Sequence, residues 1–301
     1  MPDSRPVPTT AVLFPGQGSH TATMRALVAE LRPDLLALAT AACGCDPFER
    51  LDEGTRYQQP AILCASLAGW ELAREEDPSV LAGHSLGEIA ALVAAGALAE
   101  RDAIEIVALR GRAMDDASSA GAPGGMLAVR ADGDLTAAVA RQAGVAVANE
   151  NAPDQTVVAG PVEALDAVAA ELRDRGVRSM RLPVSGAFHS PAMLPAAAEL
   201  RDALARVELA HPRVPVVSGL TTMPFSDPRS ELVAALTRPV RWVAVLRALD
   251  WRGIDRFVEA GPGEVLTKLV RRTVPGASAL TVDPRAAKSA ARPAAPEAAC
   301  A

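Results

Sequence analysis

The stretch Val80-Leu81-Ala82-Gly83-His84-Ser85-Leu86-Gly87-Glu88-Ile89-Ala90-Ala91-Leu92 decides how this chain is read. Val80 to Ala82 is a short apolar run of the kind that forms a buried strand. Gly83 to Gly87 spells G-x-S-x-G, and from Glu88 to Ala95 the apolar pattern is helical. Strand, sharp glycine turn and helix are the setting of a nucleophile elbow, in which glycines clear space for a strained turn that exposes the serine hydroxyl. The bland alternative is a tight glycine-rich turn, and the strand–turn–helix context favours the nucleophile. The next backbone N–H, that of Leu86, then points toward a developing oxyanion with the helix dipole behind it.

Outward from this stretch, short apolar strands and helical stretches follow one another along the chain. Ala11 to Phe14 is a second buried strand, stopped by Pro15-Gly16-Gln17-Gly18-Ser19, with helices expected over 21–32 and 60–75. A helix over 101–117 ends in a small-residue stretch, 118–125, that reads as a hinge. Beyond it the pattern becomes strand (126–129), helix (135–142), strand (145–148), strand (156–159), helix (161–175) and strand (178–182). That β-α-β-β-α-β order is ferredoxin-like. The expected domains are therefore a discontinuous catalytic unit, 10–125 and 185–285, with a ferredoxin-like insertion at 126–184. A helix over 191–206, a strand over 214–218, a helix after Ser230, a strand over 256–259 and a helix over 263–272 complete the large unit. Residues 1–9 read as a loose lead-in, and 286–301, rich in Ala and Pro, as a disordered tail.

A serine nucleophile needs a base, and four histidines are available. His84 adjoins the serine on a sharp turn, where neighbouring side chains point apart. His211 lies in a polar connection and reads as a surface residue, and His20 follows the first glycine-rich turn and could cap it. His189 sits in Val184-Ser185-Gly186-Ala187-Phe188-His189-Ser190, where the insertion rejoins the large unit. Pockets form at such junctions, so His189 is the favoured base. The helix after Ser85 runs about ten residues, or ~15 Å, before breaking near Gly96. An antiparallel helix starting near Arg101 regains the level of Ser85 about nine to ten residues later, at Arg110. An arginine there could grip a substrate carboxylate by paired hydrogen bonds. A solvated helix arginine, like Arg101 and Arg112, fits the spacing equally well.

Composition excludes several classes. The 301 residues are 50% apolar and 22% charged, an ordinary globular balance for one large or two modest domains. The 30 cations against 36 anions give a formal charge of −6, which argues against nucleic-acid binding. No apolar run reaches the ~18 residues of a spanning helix and no signal-peptide pattern opens the chain, so a cytoplasmic location is expected. Of Cys43, Cys45, Cys64 and Cys300, the first two form a Cys-x-Cys pair with no further ligands nearby, so no metal site is expected.

Together these residues resemble a known family. The segments Phe14-Pro15-Gly16-Gln17-Gly18-Ser19, Gln59-Pro60-Ala61, Gly83-His84-Ser85-Leu86-Gly87-Glu88, Arg110-Gly111, Ala187-Phe188-His189-Ser190, Pro239-Val240-Arg241-Trp242 and Glu259-Ala260-Gly261-Pro262-Gly263 are similar to those of malonyl-CoA:acyl carrier protein transacylases. The acyltransferase domains of polyketide synthases belong to the same family. Asn149-Glu150-Asn151 with Gln155 and Gly160 matches a family segment in the small domain, and the resemblance covers about residues 10–283.

The resemblance implies an α/β-hydrolase-like large domain with a short parallel sheet, interrupted by the ferredoxin-like insertion, and an active site in the cleft between them. It implies that Ser85 carries the acyl group and that His189 is its base, oriented by the backbone carbonyl of Ala235. Gln17 and Leu86 match the two backbone N–H donors of the oxyanion hole, and Arg110 the partner of the malonyl carboxylate. Gln59 matches a glutamine lining the pocket. Phe188 would fill the space a 2-methyl branch needs, a discrimination worth only ~1–3 kcal/mol. The implied reaction is ping-pong transfer of malonyl from malonyl-CoA to a carrier protein, with no bound cofactor and no metal; a monomer is the default expectation, and composition calls for no nucleic-acid or membrane partner.

Acidic carrier proteins call for a basic face, with Arg173, Arg175, Arg178 and Arg181 as one candidate patch and Lys268, Arg271 and Arg272 as another; for any single residue the solvated-charge reading is slightly favoured. The chain departs from the family pattern in a shorter Cys43–Gln59 segment, in His20 after the first glycine motif, and in Ile89 where an aromatic is frequent. These departures leave room for a polyketide-pathway enzyme moving a non-malonyl group, or for a hydrolase that edits carrier proteins. A silent docking subunit would be expected to lack Ser85 or His189.

Overall fold

A computed structural model describes residues 9–282. The expected tail at 286–301 and nearly all of the lead-in lie outside the described residues. Two sheets organise the chain. The first is parallel, with strand order β7-β2-β1-β8-β9. Its strands are β1 (Thr9–Phe14), β2 (Val80–Gly83), β7 (Val216–Val217), β8 (Ile254–Glu259) and β9 (Ser278–Thr281). The central pair shows why short apolar runs sufficed: Ala11 to Phe14 and Leu81 to Ala82 are almost wholly buried, because helices cover both faces of a parallel sheet.

The helices of this layer are α1 (Met24–Leu31), α2 (Pro33–Cys43), α3 (Thr55–Ala73), α4 (Gly87–Ala94), α5 (Glu100–Ser119), α8 (Leu194–Leu204), α9 (Pro228–Ala235), α10 (Trp242–Trp251) and α11 (Val265–Thr273). Helix α2 was not expected, although Pro33 opens it and Gly44, at φ 72°, closes it. Helix α3 starts five residues before Pro60, the expected first-turn proline. Pro60 cannot donate to the Arg56 carbonyl, and α5 approaches closely there. A Cβ on Gly111 would stand 2.9 Å from the Thr55 oxygen and 3.1 Å from the Arg56 oxygen. That contact brings Arg110 beside Gln59.

The second sheet is antiparallel, with order β4-β5-β3-β6. It comprises β3 (Gly124–Arg130), β4 (Ala146–Ala152), β5 (Gln155–Pro161) and β6 (Arg178–Arg181), with α6 (Gly133–Gln142) and α7 (Val162–Asp174) packed on it. Leu127, Val158, Leu165, Val168 and Leu172 form its own core. This is the ferredoxin-like arrangement read from the sequence. Its strand β4 is fastened to the large layer along its length. Val240 donates to the Ala148 carbonyl at 3.0 Å and accepts from the Glu150 N–H at 2.9 Å. Further along, Arg272 of α11 reaches Asp154 in the β4–β5 turn and Gln155 at the start of β5.

Candidate active site

The site lies at the carboxyl ends of β1, β2 and β8, where parallel α/β sheets place their ligands. Ser85 follows β2 at φ 54°, a left-handed conformation that the surrounding glycines make possible. A Cβ on Gly87 would fall 2.0 Å from the Phe14 carbonyl oxygen, and one on Gly83 2.0 Å from the Gly87 carbonyl carbon. Both positions tolerate nothing larger than glycine, so G-x-S-x-G here is a steric requirement of packing α4 against β1.

Ser85 Oγ stands 2.9 Å from His189 Nε2. His189, itself at φ 57°, places Nδ1 2.7 Å from the Ala235 carbonyl oxygen. That carbonyl can only accept, so Nδ1 carries the hydrogen and Nε2 presents its lone pair to the serine. Burial, reinforced by the nearby Arg110 cation, pushes the His189 pKa down to about 3. Arg110 Nη2 donates to Ser85 Oγ at 3.1 Å and Nη1 to Gln59 Oε1 at 2.5 Å. Burial lowers the arginine to about 10, with Glu88 opposing, so it remains a cation at neutral pH. Glu88 is also buried, which pushes its pKa up to about 7, and its Oε1 accepts from the Gly219 N–H at 2.7 Å.

A polar chain ties the arginine to the first glycine motif. Gln59 Nε2 donates to Thr55 Oγ1 at 2.7 Å, Thr55 Oγ1 to Gln17 Oε1 at 3.1 Å, and Gln17 Nε2 to Gln58 Oε1 at 3.1 Å. The side chain of Gln17 is thus spent on positioning, leaving its backbone for other work. Gln17 and Leu86 both line the cavity beside Ser85, and among the described residues neither backbone N–H has a hydrogen-bond acceptor. Phe188, Met114 and Met126 supply apolar wall.

The structure therefore brings Ser85, His189, Arg110, Gln17, Leu86, Phe188 and Ala235 together. Gln59 is a correction. It is fully buried and stands behind Arg110, while its neighbour Gln58 lines the cavity. Successive helical positions point about 100° apart, so one of the two faces the cavity and the other the protein interior.

The seven candidate docking cations do not form one free patch. Arg175 pairs with Glu171, Arg181 with Asp166, Lys268 with Glu264 and Arg272 with Asp154, while Arg271 donates to the Ala279 carbonyl. Arg173 and Arg178 are exposed and have no acidic partner among the described residues.

Sequence reasoning assigned no role to Met114, whose sulfur lies 3.3 Å from Gln59 Nε2. Its spacing of four from Arg110 was the available signal. It also assigned none to Asn151, whose Oδ1 is 2.9 Å from His84 Nε2. Among the described residues no cluster of three or more His, Cys, Asp or Glu could hold a metal, and no helix is long and apolar enough to cross a membrane.

A serine on a strained elbow, a histidine turned toward it, and an arginine at the same oxygen define an acyl-transferring α/β enzyme. Residues 49–292 match the acyl transferase domain. The malonyl CoA-acyl carrier protein transacylase of Salmonella typhimurium is 37% identical, over 93% of this chain and 98% of its own length. A polyketide biosynthesis protein of Burkholderia thailandensis is also 37% identical over 96% of this chain, which spans about a quarter (26%) of that longer protein. The crystal structure of a malonyl-CoA:acyl carrier protein transacylase from Xanthomonas oryzae superposes with a TM-score of 0.86 at 37% identity, covering 94% of this chain and 98% of that one. The chain belongs to the acyl transferase domain family.

Proposed function

We propose that this protein moves a malonyl group from malonyl-CoA to the phosphopantetheine thiol of an acyl carrier protein, through a malonyl ester on Ser85. In the first half-reaction His189 Nε2 takes the Ser85 hydroxyl proton as Oγ attacks the thioester carbonyl. The backbone N–H groups of Gln17 and Leu86 hold the oxyanion. The C–S bond breaks, and His189 passes the proton it took from Ser85 to the departing CoA sulfur. The carrier thiol then gives its proton to His189 and attacks the ester, and Ser85 leaves as a hydroxyl.

Arg110 pairs with the malonyl carboxylate, and Phe188 crowds the position of a 2-methyl branch. CoA enters as a substrate, and the two half-reactions balance without a bound cofactor. We assign the enzyme to the cytoplasm, acting as a monomer, with Arg173 and Arg178 as the cations free to meet an acidic carrier.

One observation carries this reading: Ser85 Oγ is shared between the base and a buried arginine, at 2.9 and 3.1 Å. A plain esterase needs the first contact only, whereas a substrate with a carboxylate near its carbonyl uses both. The test is intact-mass measurement after brief exposure to malonyl-, methylmalonyl- and acetyl-CoA separately, with Ser85→Ala as control. A malonyl adduct that is absent from the control, weak with the other two donors and discharged by a holo carrier protein is expected. A folded protein that takes no malonyl overturns the proposal, and loss of the adduct to water without a carrier points to a hydrolase.

A further inference from the structure

The loop from Gly186 to Ser190 stands between two cavities. Phe188 and His189 face the acyl cavity, whereas Ala187 and Ser190 face a second cleft whose lining of small residues includes Ser118 and Gly124. Gly186 opens the loop and is buried. A Cβ added there would stand 2.1 Å from Ser118 Oγ and 2.5 Å from Phe188 Cε1. The hydroxyl and the edge of the phenyl ring therefore already fill the notch that a side chain would occupy. Ser118 is itself held, because its Oγ donates to the Met114 carbonyl at 2.7 Å.

We propose that Ser118, which does not line the acyl cavity, is a specificity-determining positioning residue: by filling the notch at Gly186 it holds the Phe188 ring forward and sets the pocket's width at the carbon that would carry a 2-alkyl branch. This inference rests on the malonyl-transfer reading and names its substrate class, the unbranched malonyl thioesters. The helix makes the arrangement a ruler. Arg110, Met114 and Ser118 follow one another at intervals of four on α5, so they lie along one face. The hook for the carboxylate and the stop behind the ring are then fixed by ~12 Å of one rigid element. The cleft of small residues behind the loop supplies room for ring and loop to retreat once the stop is removed.

Wild type, Ser118→Ala and Ser118→Thr would each be offered equimolar malonyl-CoA and methylmalonyl-CoA, and the ratio of the two adducts on Ser85 read by intact mass. Removing the hydroxyl is expected to raise the methylmalonyl share roughly tenfold, the lower end of what one methyl commands in such a pocket. Threonine adds a methyl at a crowded point and should lower that share. In a Phe188→Ala background Ser118→Ala should add nothing, because no ring remains to be held. An unchanged ratio across the three Ser118 forms overturns the proposal, as does an undiminished shift in the Phe188→Ala background. Wild type that accepts no malonyl overturns the transfer reading as well, and that result is visible before any substitution is made.

Discussion

Replacing Arg110 by alanine should separate two roles that the geometry superimposes. The guanidinium is 4% exposed and spends its hydrogen bonds on Gln59 Oε1 and Ser85 Oγ. A malonyl carboxylate seated against it would gain a charge-assisted pair with a buried guanidinium. Truncation would leave that carboxylate buried without a partner, a loss of about 3–5 kcal/mol. At about 1.4 kcal/mol per decade, kcat/KM for malonyl loading should fall by ~10²–10³·⁵. Acetyl-CoA has no carboxylate to lose, so its loading should hold within about tenfold or improve as a buried cation is removed. Arg110→Lys should fall between, keeping the charge but losing the planar fork. The assay is CoA release in single turnover with each donor. Equal losses for malonyl and acetyl would refute the carboxylate assignment and mark Arg110 as a support for Ser85.

Further outcomes follow from the surroundings of His189, Glu88, Gly87 and the docking arginines. His189, held near 3, stays neutral across the physiological range, so loading should be flat from pH 8 to 5 instead of declining through 6.5. The same depression means that the unfolded chain binds a proton below 6.5 that the native state refuses, so His189 erodes stability as pH falls from 6.5 toward 3. Glu88 acts in the opposite sense, since its raised pKa adds stability as pH drops from about 7 toward 4.5. Glu88→Gln should therefore make the melting temperature fall more steeply over that window, and an unchanged slope would contradict this account. Gly87→Ala drives a Cβ into the Phe14 carbonyl and should cost more than the ~1–3 kcal/mol of ordinary overpacking, read as lost soluble protein or a large fall in melting temperature. Charge reversal at Arg173 and Arg178 should raise KM for the carrier several-fold while the CoA half-reaction proceeds. The same treatment of Arg272, already committed to Asp154, should act on stability instead.

The elbow was legible because its signal is local: two glycines, a strand and a helix within a dozen residues. Arg110 was half legible, since helix rise set its level but not whether it faced the serine. What placed it was Gly111 against the α3 carbonyls, a contact between segments over fifty residues apart. Ala235 came only through family resemblance, because a backbone carbonyl leaves no mark on the side-chain sequence. The unexpected elements have similar causes. Edge strand β9 is short and half polar, and α2 follows α1 across the Arg32-Pro33 break, where no loop residues announce a new helix. The docking cations could not be ranked from the sequence, because it shows arginines but not the acidic partners that Arg175, Arg181 and Arg272 take in the fold.

The histidine's environment raises a difficulty whose answer bears on specificity. A backbone carbonyl fixes the tautomer of His189 as a carboxylate would, but it brings no full charge to stabilise the imidazolium. Burial and Arg110 both press the ring toward neutrality, so in the empty site it is a weak base. The proposed substrate removes one of those pressures. When the malonyl carboxylate pairs with Arg110, the cation's repulsion of a protonated His189 is cancelled, and the proton affinity of the base rises as the serine must be deprotonated. In the proposed mechanism the Gln17 and Leu86 amides supply the rest at the oxyanion. Acetyl brings no such charge, and His189 stays as weak a base as in the free enzyme. On the proposed reading Arg110 discriminates twice, once in binding and once through the strength of the base, so selection for malonyl should show in kcat as well as in KM.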